Sequence, residues 1–274
     1  MKTTGYFWLL SFAVAAFLIW SREAQRAALP AADTFPLLLA FPLFWKLGGP
    51  WHLVDQETPL PLWPLMTALL SGILGEALGQ GFWSALGWSI ALGTWLKART
   101  GNSRHRLLLL PLLGFPWLVG AAGGLGWQFR ESASWVAEKV FTSGGFSIAR
   151  EGTLLSIQGE RLGVEAACAG LGSLQAMLLA GAAAASIELA SHRRFWLCLP
   201  LLFVAAWCAN TLRVILICAA ALTAGHEFAS GPIHGIIGWL VLSLTFAGCL
   251  ALFRLWGAPS VRHTIITGPA VAAP

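Results

Sequence analysis

Long apolar runs separated by short polar punctuation dominate the chain. The runs lie at residues 5–20, 34–47, 62–80, 82–96, 107–127, 167–189, 195–224 and 233–256. A spanning helix needs about 20 mostly apolar residues. The pattern therefore predicts an all-α integral membrane protein, a polytopic bundle of about eight transmembrane helices. The second and fourth runs are short, and the second can be read as beginning near Leu29. Gly79, Gln80 and Gly81 predict a tight turn between the third and fourth. The first run, Tyr6 to Trp20, lacks a small-x-small cleavage site before the next charges, so it reads as a retained helix rather than a signal peptide. No internal repeat of the transporter type is visible. The chain reads as a single polytopic domain, residues 1–274, with N-terminal spans in 1–106, a core in 107–256 and a cytoplasmic tail in 257–274.

The polar segment 128–166 breaks the rhythm. Its first half, QFRESASWVAEKVF, has apolar residues at Phe129, Ala133, Val136, Ala137, Val140 and Phe141. That spacing predicts a helix lying on the membrane surface. Its second half alternates and is broken at Glu151-Gly152 and Gly159-Glu160, which predicts a short β-hairpin or small sheet on the outer face before the sixth span.

Composition agrees with the pattern. The chain is 57% hydrophobic and 11% charged, with 15 tryptophans. A soluble domain is about 25% charged. The pI near 9.3 invites a nucleic-acid partner. The basic residues fall instead in short loops, as the positive-inside rule predicts, so the lipid bilayer is the expected partner and nucleic acid is not. Lys97, Arg99, Arg104, Arg106, Arg193 and Arg194, with Lys2 before the first run and Arg262 after the last, share one side if there are eight spans and a cytoplasmic N-terminus. The opposite side carries mixed charge, including Arg130, Glu131, Glu138, Lys139, Arg150 and Glu160.

Three polar residues stand out. Cys168 opens the sixth span from outside. Arg213 lies 18 residues after Phe195, where the seventh span begins inside, or roughly 27 Å along the helix. His234 is almost the first residue of the eighth span. All three reach similar depth near the outer surface. An arginine inside a span is costly and usually faces protein. Asn210, three residues earlier on the same face, is placed to orient it. Arginine is too basic to act as a base, but it can donate to an oxyanion or hold a thiolate. Histidine shuttles protons at neutral pH. Together these make up a thiol acyl-transfer centre. Taken singly, each has an ordinary reading: a packed thiol, an interfacial imidazole, an arginine reaching for headgroups. Cys198, Cys208, Cys218 and Cys249 read as packing residues, as do Trp207 and Trp239. Gln175, two turns after Cys168, is a candidate for the same cavity. Glu76 reads as interfacial and Glu188 as structural.

At these residues the chain resembles the exosortase/archaeosortase family of membrane transpeptidases. The family motif A-C-S-G-[LI]-R-S-L corresponds to Ala167-Cys168-Ala169-Gly170-Leu171-Gly172-Ser173-Leu174. N-x-x-R corresponds to Asn210–Arg213, and H-x-x-x-G to His234–Gly238. The resemblance covers about 107–256, where it marks a catalytic core, and is faint over the first hundred residues. The chain departs from the family at Ala169, Gly172 and Ala166, with Glu165 one position further from the cysteine than the usual glutamate. The resemblance implies catalytic Cys168, Arg213 and His234, with Asn210, Gln175, Glu165 and Gly238 around them. It implies no metal and no cofactor. The implied partners are membrane-anchored proteins with C-terminal sorting tags of the PEP-CTERM type, and exopolysaccharide machinery. The implied location is the bacterial inner membrane, with the site facing the periplasm. Two alternatives differ in class. A transporter or channel would use Arg213 to bind an anion and would tolerate Cys168→Ala. A non-catalytic membrane subunit of an exopolysaccharide export system would depend on none of the three residues singly.

Overall fold

A computed structural model describes residues 3–26, 37–51, 59–101, 105–120, 124–157, 160–163 and 170–257. The helices are α1 (Thr3–Arg26), α2 (Ala40–Gly48), α3 (Leu62–Leu78), α4 (Gly81–Thr100), α5 (Leu109–Gly114), α6 (Trp117–Gly120) and α7 (Leu125–Ser143). Strands β1 (Ile148–Glu151), β2 (Leu154–Ile157) and β3 (Glu160–Gly163) follow, then α8 (Leu171–Glu188), α9 (His192–Ala224), α10 (His226–Ser230) and α11 (Pro232–Trp256). Among the described residues, four helices are long and apolar enough to cross a bilayer: Phe7–Arg26, Leu171–Glu188, His192–Ala224 and Ile233–Trp256. Helix α3 is apolar but shorter.

Helix α4 has a span's length with a less apolar sequence, and burial explains why. Its Gly81, Ser84, Gly87, Ser89 and Thr94 are buried among other helices. Small residues let helices approach closely inside a membrane, where lipid-facing positions would need larger apolar groups. The predicted turn before it forms as expected. Gly79 is left-handed at φ 63°, and its N–H and that of Gln80 return to the carbonyls of Glu76 and Gly75.

The run at 107–127 does not form one continuous helix. It breaks at Phe115, which is extended (φ −81°, ψ 139°) before Pro116. Proline disfavours helical geometry in the preceding residue and cannot donate to the carbonyl four positions back. The carbonyls so released are capped by side chains. Trp117 Nε1 donates to Leu112 O (2.8 Å). The fully buried Gln175 donates through Nε2 to Leu113 O (2.7 Å) and Phe115 O (2.6 Å). With no water available in a membrane core, such caps make a broken helix tolerable.

The polar segment folds as a helix and an antiparallel sheet of order β1-β2-β3, one strand more than a hairpin. Of the apolar stripe of α7, four positions face protein while Val140 is exposed. Phe129, Ala133, Ala137 and Phe141 are buried, and the last three pack with Leu155 of β2 against Val214, Cys218 and Ala221 of α9. Trp127 and Trp135 lie on the outside. Buried Ser134 donates to Gly152 O (2.9 Å), and Arg150 pairs with Glu138 (2.9 Å), tying sheet to helix.

The two ends of the bundle differ. At one, Arg106 donates to Ala190 O (3.2 Å) and to His192 Nδ1 (3.1 Å), Arg194 donates to Trp256 O, and Arg254 lies 3.6 Å from Glu188. These cations meet helix C-termini, whose last carbonyls lack helical partners. At the other end of α4, Arg22 pairs with Glu76 and Arg26 with Glu23 (2.9 Å). Glu188 and Glu76 are thus both engaged in ion pairs.

Candidate active site

Arg213 lies 21 residues beyond His192, roughly 32 Å along α9. That places it at the end of the bundle capped by α7 and the sheet. Its neighbours Asn210 and Thr211 are buried, and Arg213 itself is half-buried. Among the described residues no carboxylate pairs with Arg213, and its buried Nε has no hydrogen-bond partner. A desolvated cationic donor without a partner is expensive and favours an anion or oxyanion at that point.

Two glycines let neighbouring backbones close on this residue and on Asn210. Gly238 of α11 lies against the guanidinium: a Cβ there would fall 3.0 Å from Arg213 Cζ and Nε and 3.3 Å from Nη2. His234 is one helical turn before Gly238, on the same face, and is half-buried. Gly170 closes on Asn210 from the other side. It is left-handed (φ 73°), and a Cβ there would fall 2.4 Å from Asn210 Cγ and 2.5 Å from Oδ1. Both the conformation and the space demand glycine. Its carbonyl accepts from Leu174 N (2.7 Å), so Gly170 starts α8 while resting on α9.

The structure therefore brings together Gly170, Asn210, Arg213 and Gly238, with His234 one turn along. Cys168 and Glu165 lie outside the described residues. Gln175 commits its amide nitrogen to the helix break at Phe115. Trp207 donates to Ser132 (2.9 Å), and Trp239 is exposed. Of the other cysteines, Cys198, Cys218 and Cys249 are buried and Cys208 is exposed. Gly170 was not among the site residues expected from sequence. Its signal is a glycine at the junction of a polar loop and an apolar run, a common place for a left-handed residue. Thr211, buried beside Asn210, carries no sequence signal of its own.

The family model described as transmembrane exosortase matches residues 3–253. The match starts at residue 3, so the first hundred residues belong to the family unit as well. No curated protein and no solved structure matches the chain.

Proposed function

The chain belongs to the transmembrane exosortase family, and on that premise we propose that it is a membrane-embedded cysteine transpeptidase that cleaves C-terminal sorting signals of exported proteins. The observation that carries this reading is the convergence on Arg213. Through Asn210 it adjoins Gly170, two residues after Cys168, and through Gly238 it adjoins the His234 face of α11.

In this reading the Cys168 thiolate attacks the scissile carbonyl carbon, and the carbonyl electrons move onto oxygen. Arg213 offers its partnerless Nε–H to that oxyanion. As the tetrahedral centre collapses, the C–N bond breaks and His234 gives its proton to the departing amine. A thioester remains on Cys168. An amine or water, deprotonated by His234, then attacks the thioester and releases the thiolate. Substrates are membrane-anchored proteins with sorting tags, PEP-CTERM-like in chemistry, with exopolysaccharide machinery as an associated system.

The charge distribution supports an inner-membrane orientation with the Arg106, Arg194 and Arg254 end in the cytoplasm and the Arg213 end facing the periplasm. Eight spans with both termini inside satisfy that orientation. The test is processing of a co-expressed membrane protein bearing a C-terminal sorting tag. Cys168→Ala, His234→Ala and Arg213→Ala should each abolish it while the protein stays in the membrane. Arg213→Lys should also be poor, because an ammonium cannot replace a planar guanidinium. Full processing by Cys168→Ala refutes the proposal.

A further inference from the structure

Helices α1 and α3 both pack on α4, and between them lies an open groove of about 840 Å³. Its walls are apolar: Leu18 on α1, Leu65, Leu69 and Ile73 on α3, with Trp88 of α4 on its floor. Polar groups occupy one end only. There stand Ser21, Arg22, Gln25 and Glu76, with Ser84 just inside. Arg22 pairs with Glu76, yet its Nε and Nη2 are buried and make no hydrogen bond among the described residues. Ser84 is 4% exposed and its Oγ is likewise without a partner among those residues.

Length decides what class of molecule fits. Along α3 the groove runs from Leu65 to Glu76, eleven residues, or roughly 16 Å. The hydrocarbon core is about 30 Å thick, so the groove is about one leaflet deep. A crossing peptide helix needs about twice that. A lipid acyl chain with its polar group at the Arg22 end matches both the length and the one-sided polarity.

Charge narrows the headgroup. Arg22 and Arg26 face Glu23 and Glu76, so the cluster is balanced. A phosphate finds Nη2 of Arg22, the guanidinium nitrogen that makes no hydrogen bond or ion pair among the described residues, in a charge-assisted geometry. A headgroup ammonium finds Glu76, whose side chain is 52% exposed. A purely anionic headgroup would meet Glu76 with no compensating cation of its own.

We propose that the groove between α1 and α3 is a binding site for a zwitterionic, phosphatidylethanolamine-type phospholipid of one leaflet. Arg22 holds the phosphate, Glu76 the ammonium, and the acyl chain lies across Gly72 and Trp88. In the orientation proposed above, this is the outer leaflet. The site is separate from Arg213, so its loss and the loss of processing are read independently.

Gly72 lines the groove and supplies the test, because a Cβ there meets nothing within 4 Å. Gly248 of α11 is also open and lies outside the groove. The full-length protein in detergent is titrated with phosphatidylethanolamine and phosphatidylglycerol, and retained lipid is counted by native mass spectrometry. Wild type and Gly248→Leu should retain one phosphatidylethanolamine in about tenfold preference to phosphatidylglycerol. Gly72→Leu should lose it, and Arg22→Gln should lose the preference. Equal retention of both lipids by all four proteins would mean ordinary annular lipid and overturns the proposal. So does a co-purified peptide helix in place of lipid. Should Gly72→Leu fail to fold, unchanged selectivity in Arg22→Gln overturns it alone.

Discussion

Replacing Gly238 by alanine should make the helix more stable and the proposed processing worse. Alanine is favoured over glycine in a helix interior by about 0.8–1 kcal/mol, and Gly238 lies inside α11. Against that gain stands the guanidinium of Arg213, 3.0 Å from where the new methyl would sit. Comfortable carbon contacts begin near 3.5 Å, so the guanidinium must retreat by about 0.5 Å or more. It is the far end of a flexible side chain, so the fold can absorb the shift. Catalysis cannot absorb it so easily: a misplacement of about 1 Å costs about 100-fold, and losing an oxyanion donor costs about 100- to 1,000-fold. We expect processing of a sorting-tagged substrate to fall by about 10- to 100-fold. Thermal stability in detergent should hold or rise. Gly248→Ala, on the same helix with open space around it, should match the stability effect and leave processing unchanged. Wild-type processing in Gly238→Ala would refute the placement of Arg213 at the reacting carbonyl.

Three further outcomes follow from the geometry. Gln175→Leu strips the caps from Leu113 and Phe115, at about 1–3 kcal/mol per orphaned carbonyl, and should lower the thermal midpoint in detergent sharply. Gly170→Ala meets both its left-handed φ and Asn210; processing should be lost, and Asn210→Gly in the same chain should recover the stability lost to the clash but neither that lost to the backbone strain nor the activity. Ser134→Ala removes the bond to Gly152 O and should loosen the sheet by about 1 kcal/mol, read as faster hydrogen exchange across β1 and β2 with the spans unchanged.

Much of this was legible in the sequence because water and lipid leave strong patterns. The ends of α3, α8, α9 and α11 fall within a few residues of the predicted runs. The β1–β2 turn sits where Glu151-Gly152 breaks the alternation, and Gly152 there is left-handed at φ 62°. The polar signal of Arg213 survives in any apolar context. What stayed hidden depends on which neighbour a residue meets. Pro116 sits in an unbroken apolar run, so hydropathy alone reads through it. The stripe of α7 satisfies a membrane and a helix partner equally well on paper, and its contact with α9 has no local pattern. The weak hydropathy of α4 looks like a marginal span until its small residues are seen packed against other helices. The closures of Gly170 on Asn210 and Gly238 on Arg213 join positions 40 and 25 residues apart, beyond any local period.

The most direct test of the central claim needs no identified substrate. Spheroplasts are labelled with a membrane-impermeant maleimide across pH, comparing wild type, Cys168→Ser and Arg213→Ala. Cys168 should label from outside with an apparent pKa well below the ordinary thiol value of about 8.5, and its rate near neutral pH should fall in Arg213→Ala. Labelling with an ordinary thiol profile, at the same rate in both proteins, would contradict the claim.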